Sequence, residues 1–121
     1  MTDPDPKRGE VWWVALDPVV GSEIAKTRPA AVMSIDAFGH LPVRVVIPLT
    51  TWQPRFARQR NRVLVQRTQA NGLAADSAAD VLQVRAASLE RFGARLGVLS
   101  TADLQLLTSA IRHVTDPEAQ S

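Results

Sequence analysis

The sequence predicts a mostly β domain with one C-terminal helix, an α+β chain built as a small barrel or half-open roll of about six short strands. Three observations carry this. Apolar, β-rich runs of strand length recur between Gly-, Pro- and Asn-containing turn signals. One amphipathic stripe at helical spacing closes the chain. The 121 residues suit one domain with one core, and no linker or internal repeat divides them.

In chain order, residues 1–8 are rich in proline and charge and are expected to be a disordered tail. "EVWWVAL" at 10–16 is the first strand. "DPVVGSEIAKTRP" is a loop, punctuated by Asp17-Pro18, Gly21 and Pro29. "AAVMSI" is the second strand. "GHLP" is a turn, and "VRVVIPL" at 43–49 is the third strand. Such unbroken apolar runs indicate strands buried on both sides, or a tightly closed barrel. "TTWQPRFARQRN" reads as a second long polar loop. "RVLVQ" at 62–66 alternates and should have one wet face. "TQANGLAADSAA" reads as loop, with Asn71-Gly72 as its turn. "DVLQVRA" and "ARLGVLS" are two further strands around one helical turn, "SLERF". From Thr101 to Val114, Leu104, Leu107, Ile111 and Val114 form the helical stripe. Ser100 followed by Asp103 gives a capping-box-like start. Residues 9–115 are thus one domain, and 116–121 a frayed tail.

Composition narrows the function classes. With 45% hydrophobic and 21% charged residues the chain reads as soluble and globular. No apolar run approaches the ~20 residues of a membrane span, and "MTDPDPKRGE" carries no signal-peptide pattern. A cytoplasmic location is the expectation. Cysteine is absent, which excludes disulfides, thiol catalysis and Cys-based metal sites. The net charge of +2 does not announce a nucleic-acid binder, but "RFARQRNRVLVQR" holds five arginines and no acid. That block is either a solvated face or a phosphate-contacting one.

Standard catalytic motifs are missing: there is no Walker loop, no GxGxxG and no HExxH. His40 falls in a turn and His113 near the helix end, where it complements the dipole. Asp17, Glu23 and Asp36 are scattered without metal-ligand spacing, so no metal site is expected. What remains is polar residues at the ends of apolar strands. Arg28 stands at the entrance to the second strand, and Thr50 and Thr51 at the exit of the third. If these strands pair, an arginine and a hydroxyl face one cleft, which suits a phosphate. Otherwise Arg28 is a surface ion-pair partner and Thr50 merely a good strand-end residue. Pro29 biases Arg28 toward extended backbone.

The order of these pieces resembles the MazF/PemK family of RNA-cleaving toxins from toxin–antitoxin modules. The residues that carry it are Arg8-Gly9-Glu10, Trp13-Val14, Asp17-Pro18, Gly21-Ser22-Glu23 and Arg28-Pro29, then "VVIPLTT", "NGLAADS" and "LQVRAASLERFGARLGVLSTADL". They span roughly residues 8–114. The resemblance implies an SH3-like, PemK-type barrel, commonly a homodimer, that cleaves single-stranded RNA without metal or cofactor. It implies an acidic antitoxin partner that folds across the cleft. It makes Arg28 and Thr50 the catalytic pair. It places Gly21, Ser22, Glu23, Thr51, Arg55, Arg58, Arg60, Arg62 and Gln83 on the substrate, with Glu23 orienting Arg28 or touching a base. Many members carry Asp-Gln in a later strand where this chain has Leu82-Gln83. That departure bears on target sequence. The alternative is a binding module on the same barrel, degenerate or gyrase-inhibiting, that binds antitoxin without cutting RNA.

Overall fold

The structure, a computed structural model, describes residues 4–120. Seven strands form one curled antiparallel sheet: β1 (Glu10–Ala15), β2 (Thr27–Val32), β3 (Val43–Thr51), β4 (Arg62–Val65), β5 (Ser77–Asp80), β6 (Arg85–Ser88) and β7 (Phe92–Val98). The spatial order is β4-β5-β3-β2-β1-β7, with β6 paired to β3 off this path. One helix, α1 (Thr101–Thr115), follows. The barrel-like sheet with a terminal helix is the predicted fold class.

β3 organises the sheet because it is long enough to take two partners along one edge. Val43 to Val46 pair with β6, and Leu49 to Thr51 pair with β5. Its other edge takes β2 from Val46 to Pro48. The strand missing from the sequence reading is β5. "SAAD" has small side chains and little β-propensity, yet all four residues are buried, because they lie between β3 and β4 where only small groups fit. "DVLQVRA" is likewise not one strand. It ends β5 at Asp80, makes a single 3-10 turn at Val81–Gln83 and restarts as β6. The polar stretch after β3 contains a 3-10 segment, Pro54–Arg58.

The continuous apolar runs are explained by burial on both faces. In β2, Ala31 joins a cluster with Val11, Ile47, Val65 and Leu107 under the helix. Its neighbours Ala30 and Val32 join a second cluster with Val14, Leu16, Val46, Ala87 and Phe92 on the opposite face. The β1–β2 loop roofs that second cluster with Val19 and Ile24. The helix lays Leu104, Ala110, Ile111 and Val114 around fully buried Leu107, and the Ser100 hydroxyl caps it by accepting from Asp103 N at 3.1 Å.

The two ends of the sheet are drawn together by the loop between β4 and β5. Val98 N donates to Ala70 O at 2.9 Å. Gly97 permits that approach, since a Cβ there would sit 2.2 Å from the Ala70 carbonyl oxygen. Buried Asn71 pins the loop by donating to Gln66 O and accepting from Thr68 N and Leu73 N.

The expectation of a disordered tail is corrected for residues 4–8; residues 1–3 lie outside the described residues. The Arg44 guanidinium, only 4% exposed, donates to the carbonyls of Pro6, Leu41 and Gly39 and pairs with Asp5 at 3.1 Å. Arg8 reaches Met33 O and Thr108 Oγ1, tying this segment to α1. A buried guanidinium needs such donors' partners close by, so the polar N-terminal segment is drawn in to supply them. At the other end, Pro117–Gln120 forms a 3-10 turn where fraying is expected, and residue 121 lies outside the described residues.

Candidate active site

The site begins where a strand pairing stops. The β2–β3 ladder runs Val32↔Val46, Ala31↔Ile47, Ala30↔Pro48 and then ends. Pro29, the next residue of β2, has no N–H to offer a further rung. Pro48 stands where the partner of β3 changes from β6 to β5. Continuing the register by two residues sets Arg28 across from Thr50, on strands no longer hydrogen-bonded to each other. Both remain anchored on their far sides, Arg28 opposite Val14 of β1 and Thr50 opposite Ala78 of β5. The result is a cleft of about 320 Å³ between two rigid strands, lined by Arg28, Thr50, Thr51, Trp13, Leu73 and Ser77 among others. The structure thus brings Arg28, Thr50 and Thr51 together, as the sequence order implies.

Arg28 is held but not spent. Its Nε donates to Ala25 O at 3.2 Å, and no carboxylate among the described residues pairs with it. Both terminal nitrogens stay available to an anion. Thr50 is half-buried and Thr51 exposed at the cleft mouth.

The loop from Asp17 to Lys26 is a lid over the second core cluster, through Val19 and Ile24, and stands beside this cleft without lining it. Gly21 takes a positive φ of 59°, as does Lys26 at 70°. Glu23 Oε1 accepts from Val20 N at 2.6 Å, closing the loop on itself. Among the described residues Glu23 and Arg28 form no ion pair. The Gln83 side chain reaches the lid from 59 residues away: its oxygen accepts from Ile24 N at 3.1 Å and its nitrogen donates to Ser22 O at 3.2 Å. Gln83 is a clamp on the lid, with both ends of its amide in use.

The arginines of the second loop divide. Arg55 and Arg58 are exposed on the 3-10 segment after β3. Arg62 instead stacks over the Phe56 ring at 4.0 Å and approaches buried Asp80 at 3.6 Å. Asp80 also accepts from Asn61 Nδ2 and Leu82 N, so it fixes both the arginine loop and the turn that carries Gln83. Arg60 lies 2.7 Å from His113 at the C-terminal end of α1, lining a separate cleft with Asn61 and Asp116. Arg60 and Arg62 are thus engaged away from the Arg28–Thr50 cleft.

Trp13 and Ser77 are the lining residues that the sequence reading passes over. Trp13 lies in a β-rich run and reads as core, but it is 39% exposed with its indole at the cleft. Alternation along β1 sends Val11 and Trp13 to one face and Trp12 and Val14 to the other; Val11 packs under the helix, and Trp13, two residues further along that face, lines the cleft instead. Among the described residues no group of three His, Cys, Asp or Glu side chains gathers as a metal site. No described helix is long and apolar enough to cross a membrane.

Known proteins share this fold. The chain is 32% identical over 112 residues to endoribonuclease MazF9 of Mycobacterium tuberculosis, covering 88% of this chain and 92% of that one. Its backbone is similar to the crystal structure of MazF from Deinococcus radiodurans, with a TM-score of 0.78 at 18% identity over 93% of this chain and 97% of the other. It is also similar to a mycobacterial endoribonuclease solved with its cognate antitoxin, with a TM-score of 0.68 at 18% identity over 88% and 91%. The family profile of the PemK-like, MazF-like toxin of type II toxin–antitoxin systems matches residues 7–115, and the chain belongs to that family.

Proposed function

We propose that the chain is the toxin of a toxin–antitoxin pair and acts as an endoribonuclease that cuts single-stranded RNA without a metal ion. The observation that carries this is the placing of Arg28 and Thr50 across one cleft on strands that a proline has unzipped. RNA supplies its own nucleophile, the 2′-OH. The enzyme has to align that oxygen with the adjacent phosphorus and neutralise charge as the bond forms. The Arg28 fork binds the phosphate and stabilises the transition state. Thr50 donates a hydrogen bond to a non-bridging oxygen. A guanidinium stays protonated in proteins, so Arg28 serves as an electrostatic group and not as a base. As the 2′-oxygen bonds to phosphorus its proton passes to solvent water, the P–O5′ bond breaks, and the 5′-oxygen takes a proton from solvent and leaves as a hydroxyl, so the upstream fragment ends in a 2′,3′-cyclic phosphate.

Around this centre, the Gly21–Ser22–Glu23 lid covers the substrate, Thr51 and Trp13 flank it, and Arg55 and Arg58 contact its backbone. Cleavage of cellular RNA arrests translation and growth, in the cytoplasm. A homodimer and an acidic antitoxin that folds over the cleft complete the assembly. The mycobacterial relative solved with its antitoxin supports the second partner.

The test is incubation of purified protein with long single-stranded RNA in EDTA, beside Arg28→Ala and Thr50→Val, with end mapping. Discrete EDTA-resistant cuts bearing 5′-hydroxyls are expected. They should vanish in Arg28→Ala and slow by on the order of 100–1000-fold in Thr50→Val. Folded protein that cuts none of several RNAs overturns the proposal.

A further inference from the structure

Arg67, the last arginine of the run from Arg55, is held on the rim of the Arg28–Thr50 cleft. β3 and β4 run parallel to each other, each antiparallel to β5 between them. Ser77 of β5 stands opposite Thr51 on one side and Val65 on the other. Thr51 and Val65 are the last residues of their strands, so both strands leave the sheet at the end where the cleft opens. They are two strand spacings apart, roughly 10 Å. Arg67 follows Val65 by two residues and stands at that same end. The chain then turns back, and Leu73, Ala74 and Ala75 form part of the cleft wall.

The guanidinium is hooked to that wall. Arg67 Nε donates to Leu73 O at 3.4 Å, and among the described residues neither terminal nitrogen has a protein acceptor. No described carboxylate lies within ion-pair distance of it. Asp76, from the same loop, gives Oδ1 to the Arg67 backbone N–H at 2.8 Å and not to the guanidinium. The Arg67 residue is exposed. Arg28 is held in the same manner, with Nε on a loop carbonyl, Ala25 O, and its terminal nitrogens open. Two guanidinium forks thus flank one cleft, each oriented through Nε and neither with a counter-ion. The residues lining the cleft include no acid. Two like charges beside an acid-free cleft repel, and a polyanion laid between them relieves that repulsion.

From this arrangement we infer that Arg67 binds a second backbone phosphate of the RNA, about one or two nucleotides from the cut, so that the strand leaves the cleft over the Leu73–Ala75 wall. The inference rests on the endoribonuclease reading above. A single strand carries a phosphate at every nucleotide, so a strand anchored at Arg28 brings others within reach of the rim. Arg67 does not touch the reacting atoms. It fixes the direction in which the strand lies, and contributes through binding and alignment.

The experiment measures binding of a 2′-O-methyl RNA oligonucleotide, which lacks the nucleophile and is not cut, by fluorescence anisotropy over a range of salt. Wild type, Arg67→Ala and Arg67→Lys are compared. Arg67→Ala keeps the N–H that Asp76 accepts, and Leu73 N still donates to Asn71 Oδ1, so the loop should fold. A urea melt checks this, and Arg67→Gln, also uncharged, takes its place if the alanine variant melts early. The slope of log K against log salt should fall by about 0.7 in Arg67→Ala and hold in Arg67→Lys, which keeps the charge. Affinity at low salt should fall by about two- to fivefold in Arg67→Ala. A methylphosphonate placed at each phosphate in turn should weaken wild type at a position within about two nucleotides of the cut and leave Arg67→Ala unaffected there. An unchanged slope in Arg67→Ala, a slope lost equally in Arg67→Lys, or a scan that is the same in both proteins overturns the inference and makes Arg67 a brace for the loop. Cleavage of natural RNA by wild type would then leave the endoribonuclease standing. A wild type that cuts nothing yet shows the slope difference keeps the phosphate site and overturns the endoribonuclease. A wild type that does not bind the oligonucleotide overturns the phosphate site.

Discussion

Gln83→Ala tests whether the lid is held from outside or holds itself. In the native protein the side-chain amide makes two hydrogen bonds to lid backbone, at 3.1 Å from Ile24 N and 3.2 Å to Ser22 O. Each such bond contributes a net ~0.5–1.5 kcal/mol, so losing both favours the open lid by about 1–3 kcal/mol. At ~1.4 kcal/mol per tenfold, the lid's opening equilibrium rises roughly 5- to 150-fold. Amide exchange at Ile24 should accelerate by that factor. Single-turnover cleavage should fall by no more than it, because the strands that carry Arg28 and Thr50 are anchored by β1 and β5 and only the bond from Arg28 Nε to Ala25 O ties the pair to the lid. Ile24 also leaves part of its roof over the second core cluster, so a small loss of melting temperature is expected beside the kinetic effect. The reasoning fails if Ile24 exchange is unchanged. It fails in an informative way if exchange is unchanged while the cut-site motif shifts, since Gln83 would then be touching the substrate, as the family resemblance implies.

Four further outcomes follow from the geometry. The Arg28–Thr50 cleft is lined by no side chain whose ordinary pKa lies between about 5 and 9, so log kcat/KM should climb with pH across that range; a bell centred near neutrality would implicate a histidine and contradict the assignment. Although burial pushes Glu10 up, hydrogen bonds from Lys7 N, Trp12 Nε1 and Arg95 hold its carboxyl below its ordinary value. A depressed carboxyl contributes stability above its unfolded pKa and loses it as pH falls through the folded one. Urea melts should therefore weaken below about pH 4.5 in wild type and lose part of that dependence in Glu10→Gln. Pro29→Val restores an N–H that a new rung toward Leu49 can use; the ~0.5–1.5 kcal/mol gained is offset by ~0.4–1 kcal/mol of lost chain restriction, so melting should barely move. Cleavage should drop by about 100-fold as the strands close on the cleft, and unchanged cleavage would show that the proline does not hold it open. Arg55→Ala should lower RNA affinity and reduce the slope of log K against log salt by about 0.7, measured with a non-cleaving variant.

The strands that the sequence shows plainly are those whose side chains do the packing: β1, β2, β3, β4 and β7 all carry Val, Ile, Leu or aromatic residues into one of two clusters. β5 does not announce itself, because its place between two neighbours demands small residues, and Ser-Ala-Ala-Asp reads locally as loop. The ordered N-terminal segment is hidden for a related reason. Its charges read as solvated, and only the tertiary fold brings buried Arg44 under Pro6 and Asp5. In the site, Arg28 and Thr50 are legible as strand-end residues, and the register gives them a common cleft. Gln83 and Glu23 are legible as important but not as what they contact, since Gln83's partners lie 59 and 61 residues away. Arg60 and Arg62 belong to an unbroken arginine run in which nothing local separates them from Arg55 and Arg58. Asp80 and His113 separate them, and both arrive from distant parts of the chain.

The sparse chemistry of the cleft and the folding of the sheet come from one constraint. An antiparallel sheet satisfies its backbone donors and acceptors rung by rung, and a cleft can open inside it only where a rung can be omitted without orphaning an N–H. A proline omits it at no such cost. Pro29 therefore lets β2 and β3 part while β1 and β5 still hold each strand rigidly from outside. Side chains at the parting, across from each other in the continued register, are fixed in position by backbone they do not share. A substrate with its own nucleophile needs only that: a guanidinium and a hydroxyl at a set separation, and a lid to keep the strand in line. A neighbouring cleft is lined by the lid and the Leu82–Arg85 turn, so residues that touch the substrate beyond the cut can vary on loops and turns while the Arg28–Thr50 pair stays on the sheet.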